Sequence, residues 1–411
     1  MSCRSKVFGR LRFKHSPRIL CATVLAGASF LSTSAKLAGS PVETVPDYFV
    51  YVGTYPVGDS KGIYLYRFNE KSSHLTSLGL AAEIANPSFL ATDPAHHYLY
   101  AVTDTDADIR GPNAAQVANT ISSFTIDPAT GALKFLNRVS SGGKDPIHLI
   151  VDKTGKILFV ANYDSGSVAS FAIGPDGSIG ARTGFDQHSG SSVNPRRQEG
   201  PHAHAVVVSP DNRFLFVPDL GLDRILIYRI DEAKQSFAPN NPAYVAVKAG
   251  MGPRHFAFAP DGKFAYAICE MGSSVVAFSY DRESGALTPI QTISTLPAGF
   301  KGGNASAEIQ IDKSGRFLYA SNRGQNAITE FQIDKSTGKL AAVQNISTEG
   351  KTPRNFVIDP TGRYLLVGNQ DSNNIALLNI DSATGRLTRA NQIEKIGAPV
   401  CLAFVPKAGS Q

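Results

Sequence analysis

The sequence predicts an all-β fold: a seven-bladed β-propeller with four antiparallel strands per blade, its ring closed by pairing of the N- and C-terminal strands. Three observations carry this. A strand–turn–strand unit recurs six times, the copies are spaced about fifty residues apart, and the chain ends supply two complementary half-units. The repeated unit is an apolar strand, a turn of the type Asp-Pro-x-Gly-Lys, and a second apolar strand. Its clearest copies are Pro260-Asp261-Gly262-Lys263-Phe264-Ala265-Tyr266 and Gly362-Arg363-Tyr364-Leu365-Leu366-Val367. The turns open at residues 93, 152, 209, 259, 312 and 359, so successive copies lie 59, 57, 50, 53 and 47 residues apart.

Each further element follows from this register. After most copies comes a strand with period-two alternation, such as Ser167-Val168-Ala169-Ser170-Phe171-Ala172-Ile173. An Asp…Gly-x-Leu turn (Asp334…Gly338-Lys339-Leu340; Asp381…Gly385-Arg386-Leu387) then leads into a fourth strand. At the N-terminal end, Phe49–Tyr55 reads as a second strand that lacks a first. At the C-terminal end, Val400–Val405 reads as a first strand with nothing after it. Joined, they make a seventh blade and remove the open edge of the ring. Residues 47–406 form one domain, long enough for seven blades of about 51 residues. A β-solenoid fits neither the repeat length nor the half-blades, and the absence of Trp excludes WD40 repeats.

The chain of 411 residues has 40 Lys and Arg against 34 Asp and Glu, but residues 1–40 hold seven of the cations and no acid. The remainder is nearly neutral, which excludes a general nucleic-acid surface. Residues 1–35 read as an export signal. Cations end at Arg18, the apolar run Ile19–Leu31 follows, and Thr33-Ser34-Ala35 offers small residues for cleavage. That run falls short of the roughly 20 residues needed to span a bilayer, although a short anchor is the alternative. A linker over 36–46 and a tail over 407–411 flank the propeller. The expectation is an exported protein, periplasmic or extracellular, with no membrane association beyond the signal and no obligate protein partner. Cys269 and Cys401, the cysteines beyond the signal, form no disulfide framework or CxxC knuckle and read as buried thiols.

Registering the repeats shows where polar groups collect. A first strand descends along the central channel and the second returns, so the start of one and the end of the other share a mouth. First strands begin with Ile147-His148, His204-Ala205, Arg254-His255, Ala307-Glu308 and Arg354-Asn355. Second strands end with Asn162-Tyr163, Asp219-Leu220, Cys269-Glu270, Asn322-Arg323 and Asn369-Gln370. The two longest insertions, 104–119 and 187–201, belong to the same mouth, and loops on a rigid rim are where binding sites are built. Plainer structural roles compete with a functional one. Asn162, Asn322 and Asn369 can cap turns, and Arg254 and Arg323 can pair Glu270 and Glu308 in a buried network. No spacing enforces a metal site on His148, His202 and His204, and no GxSxG elbow marks a serine hydrolase.

The motifs Tyr51-Val52-Gly53-Thr54-Tyr55, Asn194-Pro195…Arg197-Gln198…Pro201-His202-Ala203-His204, Asp219-Leu220-Gly221…Asp223-Arg224, Gly252-Pro253-Arg254-His255 and Ser321-Asn322-Arg323-Gly324 occur in this order. In them the chain resembles the propeller-type lactonase family. That family includes bacterial 6-phosphogluconolactonases of carbohydrate metabolism and fungal carboxy-muconate lactonizing enzymes. The resemblance implies hydrolysis of a sugar-type lactone, with cycloisomerisation of a muconate-type acid or a non-catalytic binding module as alternatives. It also implies no cofactor or metal. By motif it points to His204, Arg254, Glu270 and Arg323 as catalytic, with Cys269-Glu270-Met271 standing where relatives carry Asn-Glu-Leu. His148, His202, Arg197, His255, Glu308 and Arg354 are expected to contact an anionic lactone. His204 or Glu270 would serve as general base, and the arginines would hold the oxyanion or an anionic substituent.

Overall fold

The computed structural model describes residues 47–104 and 118–408. The expected signal and linker, most of the 104–119 insertion and residues 409–411 lie outside the described residues. Among the described residues there is no helix, and the strands form seven four-stranded antiparallel sheets. Blades 1 to 6 occupy residues 90–140, 146–187, 207–246, 253–294, 305–347 and 353–395. Blade 7 takes its inner strand, Pro399–Pro406, from the C-terminal end and its outer three, Asp47–Thr54, Gly62–Asn69 and His74–Glu83, from the start of the propeller. Pairing of Tyr48 with Pro406 through Gly53 with Cys401 closes the ring. The two half-units therefore combine as the sequence implies.

The repeated turn residues have a visible cause. Asp152 Oδ1 accepts the backbone N–H of both Lys156 and Ile157 at 2.8 Å. Asp312 does the same for Arg316 and Phe317, and Ser209 Oγ substitutes in blade 3 by accepting from Arg213 and Phe214. A side chain that satisfies two N–H groups at the entry to the second strand fixes the turn and the register after it.

The Asp…Gly-x-Leu turn serves the seam between blades. The Tyr100 hydroxyl donates to the Gly177 carbonyl of the next blade at 3.1 Å, and Tyr51–Gly131, Tyr266–Gly338 and Tyr319–Gly385 repeat the contact. At Gly177, φ is +81°, and a Cβ there would sit 2.1 Å from the Tyr98 ring, so only glycine fits. Further out, Gln291 exchanges two hydrogen bonds with the Leu340 backbone, Gln344 with Leu387, Gln392 with Leu75, and Asn137 with Ile179. Each hydrophobic cluster fills one seam between neighbouring blades, such as Phe216, Phe256 and Phe278 between blades 3 and 4. A fully buried ring of this kind stabilises by about 2–3 kcal/mol. Cys269 and Cys401 lie in two such seams as free thiols, and burial pushes both up to about 12.

Candidate active site

At the mouth, the inner strands carry a device the sequence reading did not resolve. In blade 4, Pro253 pairs with Cys269 but His255 pairs with Ile268, so Arg254 is an extra, bulged residue. The same shift makes Ile147 extra in blade 2, Arg354 in blade 6 and Val400 in blade 7. In blade 5 it falls across Ala307 and Glu308. A bulge bends the strand and re-aims its side chain. Ile147, Arg254, Arg354 and Val400 all line one small cavity at the channel mouth. His204, His255, Asn355, Ser88 and Phe89 complete its wall.

Local backbone sets each of these four bulges. The residue before each proline is left-handed: Asp145 at +56°, Gly252 at +61°, Thr352 at +58° and Ala398 at +34°. Its N–H is held by a side chain from the preceding blade, namely Asn119, Asp223, Asn326 and Asn373, at 2.7–2.8 Å. The proline has no N–H to lose, so the ladder can step there without an unsatisfied donor. Blade 3 differs. Its inner strand shrinks to Val207–Val208 plus an isolated bridge from Ala203 to Asp219, and His204 sits in the gap rather than at the start of a continuous strand.

Charge converges on Glu270, which is 4% exposed. Its Oε2 takes Arg254 Nε at 3.1 Å and an Arg323 amino group at 2.6 Å, and its Oε1 takes an Arg197 amino group at 2.7 Å. These arginines come from blade 4, blade 5 and the 187–201 loop. Burial works against the carboxylate, but Arg323, Arg254 and Arg197 outweigh it and hold its pKa at about 2. Burial, with Arg323 and Arg354 beside it, lowers Arg254 to about 9, so it stays charged at neutral pH. Arg254 also donates to the Ala307 carbonyl at 2.9 Å. The Arg354 guanidinium lies 5.5 Å from the centre of the Tyr55 ring, whose hydroxyl donates to the buried Asp104 at 2.7 Å.

Beside this cluster stand three imidazoles. The His255 ring lies 5.4 Å from that of His148 and 5.5 Å from that of His204, and burial holds all three well below the usual histidine pKa. They are neutral at physiological pH. His255 Nδ1 is 3.2 Å from Glu308 Oε1, while Glu308 Oε2 accepts from Asn355 at 2.5 Å. Burial lifts Glu308 to about 7 although the Ile309 N–H, Arg254, His148 and Asn355 favour its charged form. His148 stacks on Phe89 at 3.9 Å. His204 Nδ1 is buried without a hydrogen-bond partner, while its ring lies edge-on to Tyr163 at 5.3 Å. His202 stacks on that ring at 4.5 Å, and Arg197 donates to the Tyr163 hydroxyl at 3.2 Å.

All ten residues singled out in the sequence therefore meet at one mouth. The model for the family "Lactonase, 7-bladed beta-propeller" matches residues 49–404. The chain belongs to this lactonase family. It is 34% identical over 316 residues to a Bacillus subtilis 6-phosphogluconolactonase, covering 75% of this chain and 84% of that protein. It is 36% identical over 314 residues to the Formosa agariphila 6-phosphogluconolactonase, covering 75% and 85%. The solved structure of a Pseudomonas aeruginosa periplasmic gluconolactonase superposes with a TM-score of 0.82 at 34% identity, over 88% of this chain and 99% of that one.

Within this lactonase fold, two expectations change. Glu270 is a poor general base, because three guanidiniums stabilise its charged form. Glu308 pairs with His255 and Asn355 rather than with Arg254 or Arg323. The asparagines do tie backbone: Asn162, Asn322 and Asn369 donate to the Ser141, Thr295 and Thr348 carbonyls just after the outer strand of the preceding blade. Sequence reasoning passed over Tyr163 and Asn355, although both stood in the columns that held the other site residues. It also missed Phe89 and Ser88, whose blade has no polar residue at the start of its short inner strand, Leu90–Thr92.

Proposed function

We propose that this protein hydrolyses a sugar lactone that carries an anionic substituent, and that it does so at the bulge-lined mouth. The observation that carries this reading is the union of three arginines on Glu270 beside a neutral, buried His204 in the wall of one cavity. Arg197, Arg254, Arg323 and Arg354 outnumber Glu270, Glu308 and the buried Asp104, and burial raises both Glu308 and Asp104 to about 7. The mouth is thus cationic overall and suited to a phosphate or carboxylate. The names of the relatives, 6-phosphogluconolactonase and gluconolactonase, agree with a sugar-lactone substrate.

Ring opening needs an activated water, a stabilised oxyanion and a proton for the leaving alkoxide. A ring nitrogen of neutral His204, which lines the cavity, takes the proton from water as the oxygen attacks the carbonyl carbon. Arg254, held rigid by the Ala307 carbonyl and Glu270, stabilises the tetrahedral oxyanion. As the C–O bond of the ring breaks, the imidazolium returns its proton to the alkoxide, leaving a hydroxy acid. Glu270 holds its three arginines in place and does not itself move protons. Arg323, Arg197 and Arg354 receive the anionic substituent, with His148, His202, His255 and Glu308 shaping the wall.

We also propose export, which the cationic and apolar pattern of residues 1–35 supports, as does the periplasmic setting in the name of the Pseudomonas relative. Following opening of glucono-δ-lactone and its 6-phosphate above the spontaneous rate tests the catalytic reading. His204→Ala and Arg254→Ala should each lower kcat by roughly 10²–10⁴-fold. Parent rates in both variants would remove the assignment.

A further inference from the structure

Arg197 reaches Glu270 from a loop, and its side chain is 44% exposed. A long, half-exposed side chain keeps one geometry only if its backbone is held, since ordering it costs entropy. The 187–201 loop is held by several stitches to the turn after the second strand of blade 3. Buried Gln198 donates to the Leu220 carbonyl at 2.8 Å and accepts from the Asn194 N–H at 3.1 Å. Gly221 lies so close beneath the loop that a Cβ there would be 1.9 Å from the Gly200 carbonyl oxygen. Ser192 Oγ donates to Asp223 Oδ2 at 2.6 Å.

Asp223, 3% exposed, does more than hold the loop. Its Oδ2 also accepts the Gly250 N–H and its Oδ1 the Gly252 N–H, both at 2.7 Å. Gly252 is the left-handed residue that launches the Arg254 bulge. One buried carboxylate therefore joins the loop of Arg197 to the bulge of Arg254. At the corresponding places in blades 1, 5 and 6 an asparagine suffices: Asn119, Asn326 and Asn373 each hold the N–H before the proline, Asn326 with a second, longer contact from the Gly324 N–H at 3.4 Å. An amide has one accepting oxygen, whereas blade 3 must satisfy three donors with two.

We propose that Asp223 is a positioning residue that fixes the Arg197 loop relative to the Arg254 bulge, so that Arg197 meets the anionic substituent of the substrate while Arg254 faces its carbonyl. This rests on the anionic-lactone reading above. The test uses the full chain with inorganic phosphate as probe, its Kd measured by calorimetry for the parent, Asp223→Asn, Arg197→Ala and the double variant. Asp223→Asn keeps the Gly252 clamp in the form the other blades use, so the variant should still unfold cooperatively, with a melting temperature lowered by only a few degrees for the acceptor it withdraws from Ser192 and Gly250. It frees the loop, so its phosphate Kd should rise about tenfold. Removing a negative charge would by itself tighten phosphate binding, so weakening cannot arise from charge. The double variant should be no weaker than Arg197→Ala alone, the signature of residues acting as one unit. In turnover, KM for the phosphorylated lactone should rise with kcat nearly unchanged. Additive losses in the double variant, a parent-like Kd in Asp223→Asn, or no phosphate binding by the parent below about 10 mM would each overturn the proposal. A parent that binds phosphate but opens no lactone would instead overturn the catalytic reading alone.

Discussion

Replacing Glu270 by Gln keeps the shape of the side chain and removes the charge that joins three arginines. The carboxyl pKa falls from an ordinary 4.5 to about 2 in the folded protein. At 1.36 kcal/mol per unit, its ionised form stabilises the fold by about 3 kcal/mol at neutral pH. Removing one partner from a buried ion cluster costs about 3–5 kcal/mol by a separate line of reasoning, because Arg254 is left charged and buried. The two figures agree. Because the folded pKa is depressed, this stabilisation is complete above pH 4.5 and disappears as pH falls toward 2. Urea unfolding of parent and Glu270→Gln should therefore differ by about 3 kcal/mol at pH 7, and the gap should narrow steadily below pH 4.5. A gap of the same size at pH 7 and pH 3 would refute the claim that the arginines depress this carboxyl.

Other residues give independent checks. Glu330 is fully buried, neither carboxylate oxygen has a hydrogen-bond partner, and burial lifts its pKa to about 7 against the pull of Arg386. A raised folded pKa means stability falls as pH rises from 4.5 to 7, by up to about 3 kcal/mol. Glu330→Gln should lose that decline, read as a melting temperature that no longer drops between pH 5 and pH 7.5. The pH profile of kcat/KM should show an inflection near 7 from Glu308, and Glu308→Gln should remove it. Tyr266→Phe strips the hydrogen bond to the Gly338 carbonyl and should cost about 1 kcal/mol in denaturant unfolding. Gly338→Ala should cost several times more, because a Cβ would lie 2.3 Å from the Phe264 ring at a φ of +71°.

The ring was legible because its determinants are local. Asp152 and Asp312 each build their own turn within five residues, so the repeat prints itself onto the chain. Closure was legible because the strand at 400–405 carries the pattern of an inner strand with no outer ones after it. The mouth could be located, but not its wiring. Arg197 and Glu270 are 73 residues apart, and nothing in either segment announces the pair. The bulges escaped notice because a register slip exists only relative to a partner strand. A signal was nonetheless present: Asp145-Pro146, Gly252-Pro253, Thr352-Pro353 and Ala398-Pro399 all precede the cavity residues. The protonation roles of Glu270 and Glu308 depend on which neighbours face them, and composition cannot supply that.

In the step before four of the inner strands, what holds the backbone and what lines the cavity are different atoms. The neighbouring blade grips an amide, the proline imposes the kink, and the side chain that follows differs from blade to blade: isoleucine, arginine, arginine, valine. None of the four is needed to make its own bend. The same bend thus carries an aliphatic side chain in two blades and a guanidinium in two others. A scaffold of this kind would let one shape serve chemically unrelated substrates, with selectivity rewritten a single letter at a time.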